Sequence, residues 1–272
     1  MSDIAVRRGL AEARRLGEVH WRALLAYLVL GVVLPYFLLS SEPIFHPRLI
    51  MALLYDPLAF GFSGSIAGPL YLLGIVALFV CGAMLAAWRA LLAEMREGYV
   101  AEIMYGMVAG AAYLAVSILF FLIVATLFSF PVHALGGPDA LNPPAAVLRQ
   151  IVGALVSAWI SARFCLVGPI MAARGALEPV SAFVESWRRT GVAQGRLTAL
   201  YLAINILFVL VLAALLIPQF VVAATIEPGG AADAAMGLGW LAFAAVYFTA
   251  MLLIPAGLYR MSEPGARTDV FA

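Results

Sequence analysis

The sequence predicts an all-α polytopic membrane protein, with six transmembrane helices and short interfacial amphipathic helices. Three observations lead there. Hydrophobic side chains fill 65% of the 272 positions and charged ones only 11%, where a soluble domain carries about 25% charged residues. Six apolar runs each reach the roughly 20 residues that cross about 30 Å of hydrocarbon as a helix. The runs are also continuous, whereas membrane strands alternate in segments of about ten residues.

Residues 1–20, ending LAEARRLGEVH, are polar and basic and form an N-terminal amphipathic segment. A cleaved signal peptide would place its apolar region earlier and close on small residues, so the first apolar run is expected to be a retained span. The membrane domain covers 21–260, with a tail at 261–272. Its spans are expected at Trp21 to Ser40, Gly68 to Leu92, Tyr105 to Phe130, Ala146 to Ala173, Leu197 to Ala223 and Leu238 to Tyr259. Within the loop after the first span, Pro47 can open a short helix, with Leu49, Ile50, Leu53, Leu54 and Leu58 on one side. That helix is expected on the outer membrane surface. Pro35, Pro169, Pro218 and Pro255 lie inside or near the ends of spans, where a missing N–H kinks a helix.

Orientation follows from the arginines. Thirteen fall before the first span, between the second and third, between the fourth and fifth, or after the sixth. Only Arg48 and Arg149 fall on the opposite side. Positive charge concentrates on cytoplasmic loops, so both termini are expected in the cytoplasm.

One charged cluster, FVESWRRTG at Phe183 to Gly191, stands out in so apolar a chain. In Leu177 to Arg189, Pro179 suits a first helical turn. Leu177, Val180, Phe183, Val184 and Trp187 recur at helical spacing, while Ser181, Glu185 and Arg188 form an opposite stripe. Such a helix is too short to span and is two-sided, so it is expected to lie flat at the cytoplasmic interface with Trp187 at headgroup depth. Arg188 and Arg189 are then placed to meet lipid phosphates. The segment has an echo: RRLGEVHWRALLAYL from Arg14 parallels RRTGVAQGRLTALYL from Arg188, and REGYVAEIMYGM precedes the third span. Three helical hairpins, each led in by an amphipathic segment, would produce this pattern. Parallel repeats of this kind occur in transporters.

Arg163 lies inside the fourth span. A charge there is costly, so it is expected to face the bundle and find a partner. Glu94, Glu97 and Glu102 are the candidate carboxylates and Asn205 the candidate neutral partner. The readings are a structural ion pair or an arginine snorkelling to the cytoplasmic headgroups, a lipid-phosphate site between helices, and a transport or proton-relay role, which no run of intramembrane Asp, Glu or His accompanies. Small residues at Ala109 to Ala112 and at Gly153, Ala154, Ser157, Ala158 and Ser161 permit close helix approach. Catalytic constellations are missing. His20, His46 and His133 form no metal-spaced pair, Cys81 and Cys165 sit singly in apolar runs, and no nucleophile elbow, phosphate loop or zincin motif occurs. Neither a metal, a cofactor nor an enzymatic activity is expected.

The stretch RFCLVGPIMAARGALEPVSAFVESWRRTGVAQGRL resembles the membrane domain associated with glycerophosphoryl diester phosphodiesterases, and a related family of uncharacterised bacterial six-helix inner-membrane proteins. The matching residues are Arg163, Phe164, Pro169, Ser186, Trp187, Thr190 and Gly191. An acidic residue frequent after the proline has no counterpart, since Arg174 stands near that place. The resemblance implies the membrane domain alone, because the phosphodiesterase chemistry of the fused forms belongs to a separate domain. The expectation is therefore a non-enzymatic multi-pass protein of the bacterial inner membrane that binds phospholipid or a membrane-protein partner, and no nucleic acid. Arg163, Trp187, Arg188, Arg189 and Asn205 are its candidate contact residues. The alternative is a small transporter, or the membrane subunit of one, with a cavity beside Arg163 and Asn205.

Overall fold

A computed structural model describes residues 6–40, 67–93, 101–104, 106–116, 143–174, 179–222 and 231–262. Every regular element among them is helical. Helix α1 (Val6–Val19) buries Gly9, Ala13 and Leu16 on one face. Arg14 pairs with Glu18 on its outer face, and Arg15 reaches Glu12 nearer the docked side, each at 2.8 Å, the spacing at which helical side chains pair. After a turn at His20, α2 (Trp21–Leu28) passes through a π turn at Val29–Val33 into α3 (Leu34–Ser40). Pro35 cannot bond the carbonyl four residues back, and the wider turn just ahead of it absorbs the mismatch.

Helix α4 (Ala67–Leu92) meets α5 (Ala101–Val116) at a glycine crossing. A Cβ on Gly106 would sit 2.6 Å from the Gly82 carbonyl oxygen, and one on Gly82 would sit 2.7 Å from that of Ile103. The backbones therefore touch directly, as small residues permit between membrane helices. Helix α6 (Pro143–Phe164) stops at Cys165 and Leu166, and α7 (Val167–Arg174) continues its course. The break has a local cause, since Pro169 lacks the N–H that would bond the Cys165 carbonyl. The amphipathic α8 (Pro179–Thr190), then α9 (Gln194–Val222) and α10 (Ala231–Ser262) complete the chain, with Pro255 inside α10.

Packing concentrates at the arginine-rich end. Helix α1 lies along α10, α6 beside α9, and α4 beside α7. Trp88 of α4 joins three of these elements. Its indole Nε1 donates to the Leu252 carbonyl of α10 at 2.8 Å, in the turn that Pro255 opens. Its ring fills the notch at Gly168 in α7, where a Cβ would lie 2.7 Å from Cε3 and overlap the outer ring edge. Around it Leu91, Leu166, Ile170, Leu197, Leu252 and Leu258 are fully buried. Farther along the long helices large apolar side chains are exposed, among them Leu207, Leu210 and Val246 at 62%, 62% and 72%. An exposed apolar surface of that kind needs an apolar covering.

Five helices among the described residues are long and apolar enough to cross a membrane: Trp21–Leu39, Gly74–Leu92, Ile151–Arg174, Gln194–Leu215 and Gly237–Ser262. The protein is a helical multi-pass membrane protein. The third expected span appears as the shorter apolar helix Ala101–Val116, which begins four residues earlier than its hydropathy implied. The remainder of that span, the Pro47 helix and residues 263–272 of the tail lie outside the described residues. The fourth expected span is two helices rather than one, for the reason given by Pro169.

Candidate functional site

The broken end of α6 leaves the Arg163 carbonyl without its helical donor, as the last carbonyls of any helix are left. Helix α8 supplies the replacement. Ser186 Oγ donates to the Arg163 carbonyl at 2.7 Å, and Thr190 Oγ1 lies 3.3 Å from the same oxygen while donating to the Ser186 carbonyl at 2.8 Å. Both hydroxyl residues are fully buried. A buried polar group left unpaired costs about 1–3 kcal/mol, so this contact fixes where α8 docks.

The docking orders the Arg163 side chain as well. Its Nη1 donates to the Trp187 carbonyl at 3.1 Å. Its guanidinium carbon stands 4.4 Å from the Trp187 ring centre and 5.8 Å from that of Trp159. The two indoles meet edge to face at 5.4 Å. Phe164 touches Trp187 at 5.7 Å and Phe183 at 5.0 Å, and Phe183 stacks on Tyr113 of α5 at 5.9 Å. Gly191 closes the group, since a Cβ there would lie 3.3 Å from Arg163 Nη1. The residues that carry the family resemblance thus form one contact cluster, apart from Pro169, which makes the helix break the cluster needs.

The sequence-predicted residues separate into distinct roles. Arg163 and Trp187 lie together, and both are partly open to the surroundings. Arg188 is exposed. Arg189 turns inward, contrary to its expected place among headgroups. It pairs with Glu185, donates to Ser262 Oγ at 3.2 Å, and sits 5.4 Å over the Tyr259 ring. Asn205 is not a partner of Arg163. Gln194 Nε2 reaches the Trp159 carbonyl at 3.4 Å, so α9 is level with Arg163 near its first turn, and Asn205 lies roughly 16 Å farther along the axis at 1.5 Å per residue. Glu102 is not a partner either. It is 3% exposed and pairs with Arg89 at 2.5 Å, because the glycine crossing of α4 and α5 brings those two face to face. Glu94 and Glu97 lie outside the described residues.

Sequence reasoning missed three ion pairs of one kind. Arg89 meets Glu102, Arg174 meets Glu185, and Arg260 meets Glu12 at 3.8 Å. In each, an arginine ending one span is joined to a glutamate on the helix that leads into a different one. The shared spacing of Pro169 and Arg174 with Pro255 and Arg260 was the available signal. A small cavity of ≈ 10 Å³ lies beside Arg89 and Glu102, lined also by Leu85, Gly106, Ala109, Met171 and Ala172, about enough for one water. Among the described residues, no group of three His, Cys, Asp or Glu side chains is placed to hold a metal ion.

Comparison with protein-family models, with curated proteins and with solved structures returns no match.

Proposed function

We propose that the chain is a non-enzymatic, six-span protein of the bacterial inner membrane with both termini cytoplasmic, and that α8 is its lipid-contacting element at the cytoplasmic surface. The observation that carries this reading is the three-sidedness of α8. At 100° per residue, Pro179, Ala182, Ser186 and Thr190 share one arc, and these are the residues buried against the protein. About 120° away, Val180, Val184 and Trp187 form an apolar arc exposed by 63%, 48% and 41%. Ser181 and Arg188 occupy the third arc and are also exposed. A helix with protein on one side, an apolar arc on the second and a polar arc on the third fits one environment, the boundary between bilayer and water. Trp187 stands at the level where indoles concentrate.

The resemblance to six-helix membrane proteins and the arginine asymmetry support the same placement. A transporter needs a polar path at membrane depth, and the small cavity beside Arg89 and Glu102 is no support for one.

The test uses spin labels at Val184→Cys and at Arg188→Cys, in a background with Cys81 and Cys165 replaced by alanine, in proteoliposomes. Collisional relaxation should show position 184 favouring oxygen and position 188 favouring a water-soluble nickel complex. Equal access of nickel to both positions would remove the interfacial assignment.

A further inference from the structure

Resting on the lipid-contact reading of α8, we infer that Arg163, framed by Trp159 and Trp187, is a binding site for a phosphate-type anion at the junction of α6 and α8, and that a membrane phospholipid with an anionic headgroup is its source.

The starting point is charge balance. Arg89, Arg174, Arg189 and Arg260 each have a glutamate partner. Among the described residues Arg163 has none, although it lies on the same end of the bundle. Among the described residues its side chain makes one hydrogen bond, to a neutral carbonyl. Nε is enclosed without an acceptor, and Nη2 has no acceptor among the described residues. A guanidinium carries five donors in a planar fork that matches carboxylate and phosphate oxygens. Among the described residues the remaining N–H groups meet no acceptor; Nε is enclosed, so Nη2 and the second hydrogen of Nη1 are the donors left for a ligand.

The surroundings define the ligand class. Trp159 and Trp187 are 38% and 41% exposed, so the site opens on the apolar arc of α8 and not into the bundle. Paired indoles could otherwise cage a quaternary ammonium, but here a protein cation already occupies their faces. A choline group would meet like charge. An anionic phosphodiester meets the free donors of Arg163 and leaves its acyl chains beside Val180 and Val184. The exposed Arg188 adds a second positive charge on the water side of the same helix.

The test titrates the purified, delipidated protein in a neutral detergent, following tryptophan fluorescence. The probes are dihexanoyl phosphatidylglycerol, dihexanoyl phosphatidylcholine and inorganic phosphate. The expected result is saturable binding of the phosphatidylglycerol, weaker by about tenfold or more in Arg163→Gln, since a charged hydrogen bond is lost. Gly191→Ala should weaken it several-fold by crowding Nη1, and Arg14→Gln should leave it unchanged. Inorganic phosphate binding as tightly as the lipid would keep the site and assign its anion to the aqueous phase. Phosphatidylcholine binding as tightly as phosphatidylglycerol would overturn the inference. So would wild-type affinity in Arg163→Gln with unchanged helicity and elution, or in Gly191→Ala should the glutamine variant not fold. Failure of the spin-label experiment with Arg163-dependent phosphate binding intact would remove the membrane placement alone. The reverse result would remove the site alone.

Discussion

Replacing Gly257 with alanine tests whether α1 is a docked part of the fold. A Cβ at Gly257 would lie 2.6 Å from the Ala13 nitrogen and 2.8 Å from the Ala13 Cβ, and would overlap the Gly9 carbonyl oxygen. Carbon atoms pack best at about 3.5–4.0 Å, so α1 must retreat by roughly 1 Å. Two of the three clashes are with backbone, so no rotamer change relieves them. Overpacking of this kind costs about 1–3 kcal/mol. What holds α1 in place is of similar size. Leu16, 2% exposed, contributes about 1.5–3 kcal/mol by its burial, and the partly exposed Arg260–Glu12 pair adds little. The substitution therefore shifts the opening equilibrium of α1 by about five- to 150-fold. Hydrogen exchange of residues 6–19 reads it, because a free 14-residue helix is marginal in water. Exchange across this peptide should accelerate within that range in Gly257→Ala and remain unchanged in Gly195→Ala, where an added Cβ meets nothing within 4 Å. Wild-type exchange in Gly257→Ala would refute the docking of α1 on α10.

Two further outcomes follow from charge. Glu102→Gln takes the carboxylate away from the Arg89 guanidinium, which is 19% exposed, and should lower stability by about 1–3 kcal/mol, seen as a lower thermal midpoint in detergent; the double variant Arg89→Met with Glu102→Leu should recover much of the loss. His20, at the turn between α1 and α2, has its pKa held below the usual value by burial and then by Arg260 and Arg15. The unfolded chain then binds the proton more readily than the folded one, so stability is full above about pH 6.5, the unfolded value, and is lost as pH falls below it; His20→Gln should flatten that limb of the thermal midpoint against pH.

The spans were legible because apolar length is a one-dimensional property, and the ends of α4 and α9 fall within three residues of where hydropathy places them. The two-stripe reading of α8 was incomplete for a physical reason. Ala182, Ser186 and Thr190 are small or hydroxylated and carry no hydropathy signal. Their docking role depends on where α6 ends, since the carbonyl that Ser186 and Thr190 meet is that of Arg163, 23 residues before Ser186, at that end. The sequence offers Arg163 carboxylates and Asn205 as partners, since polar side chains are what a sequence displays. Ring faces and backbone oxygens do the work instead, and neither can be placed before the helices are. Glu102 was lost to Arg89 because the glycine crossing decides which elements touch, and a glycine in a span has several readings until its neighbour is known.

The echo of RRLGEVHW in RRTGVAQG acquires a geometric meaning from the ion pairs. Arg15 and Arg189 stand at matching positions, and each holds a glutamate of its own helix, Glu12 and Glu185. Each of those glutamates also takes an arginine from the end of a span, Arg260 and Arg174. Tyr27 and Tyr201, again matched, are both fully buried. Arg89 and Glu102 form a simpler third version. The helix leading into the first span thus docks on the last, as α8 docks on α6 and α7, so one kind of joint recurs among the described helices. That recurrence separates two kinds of arginine. Those at the joints appear wherever the architecture repeats and are explained by it. Arg163 stands eleven residues before Arg174, and the positions eleven before Arg260 and Arg89 hold Thr249 and Leu78. A charge needed to build the joint would recur with it; Arg163 does not recur, lacks a carboxylate partner among the described residues and opens toward the apolar arc of α8, which is what the proposed anion site requires.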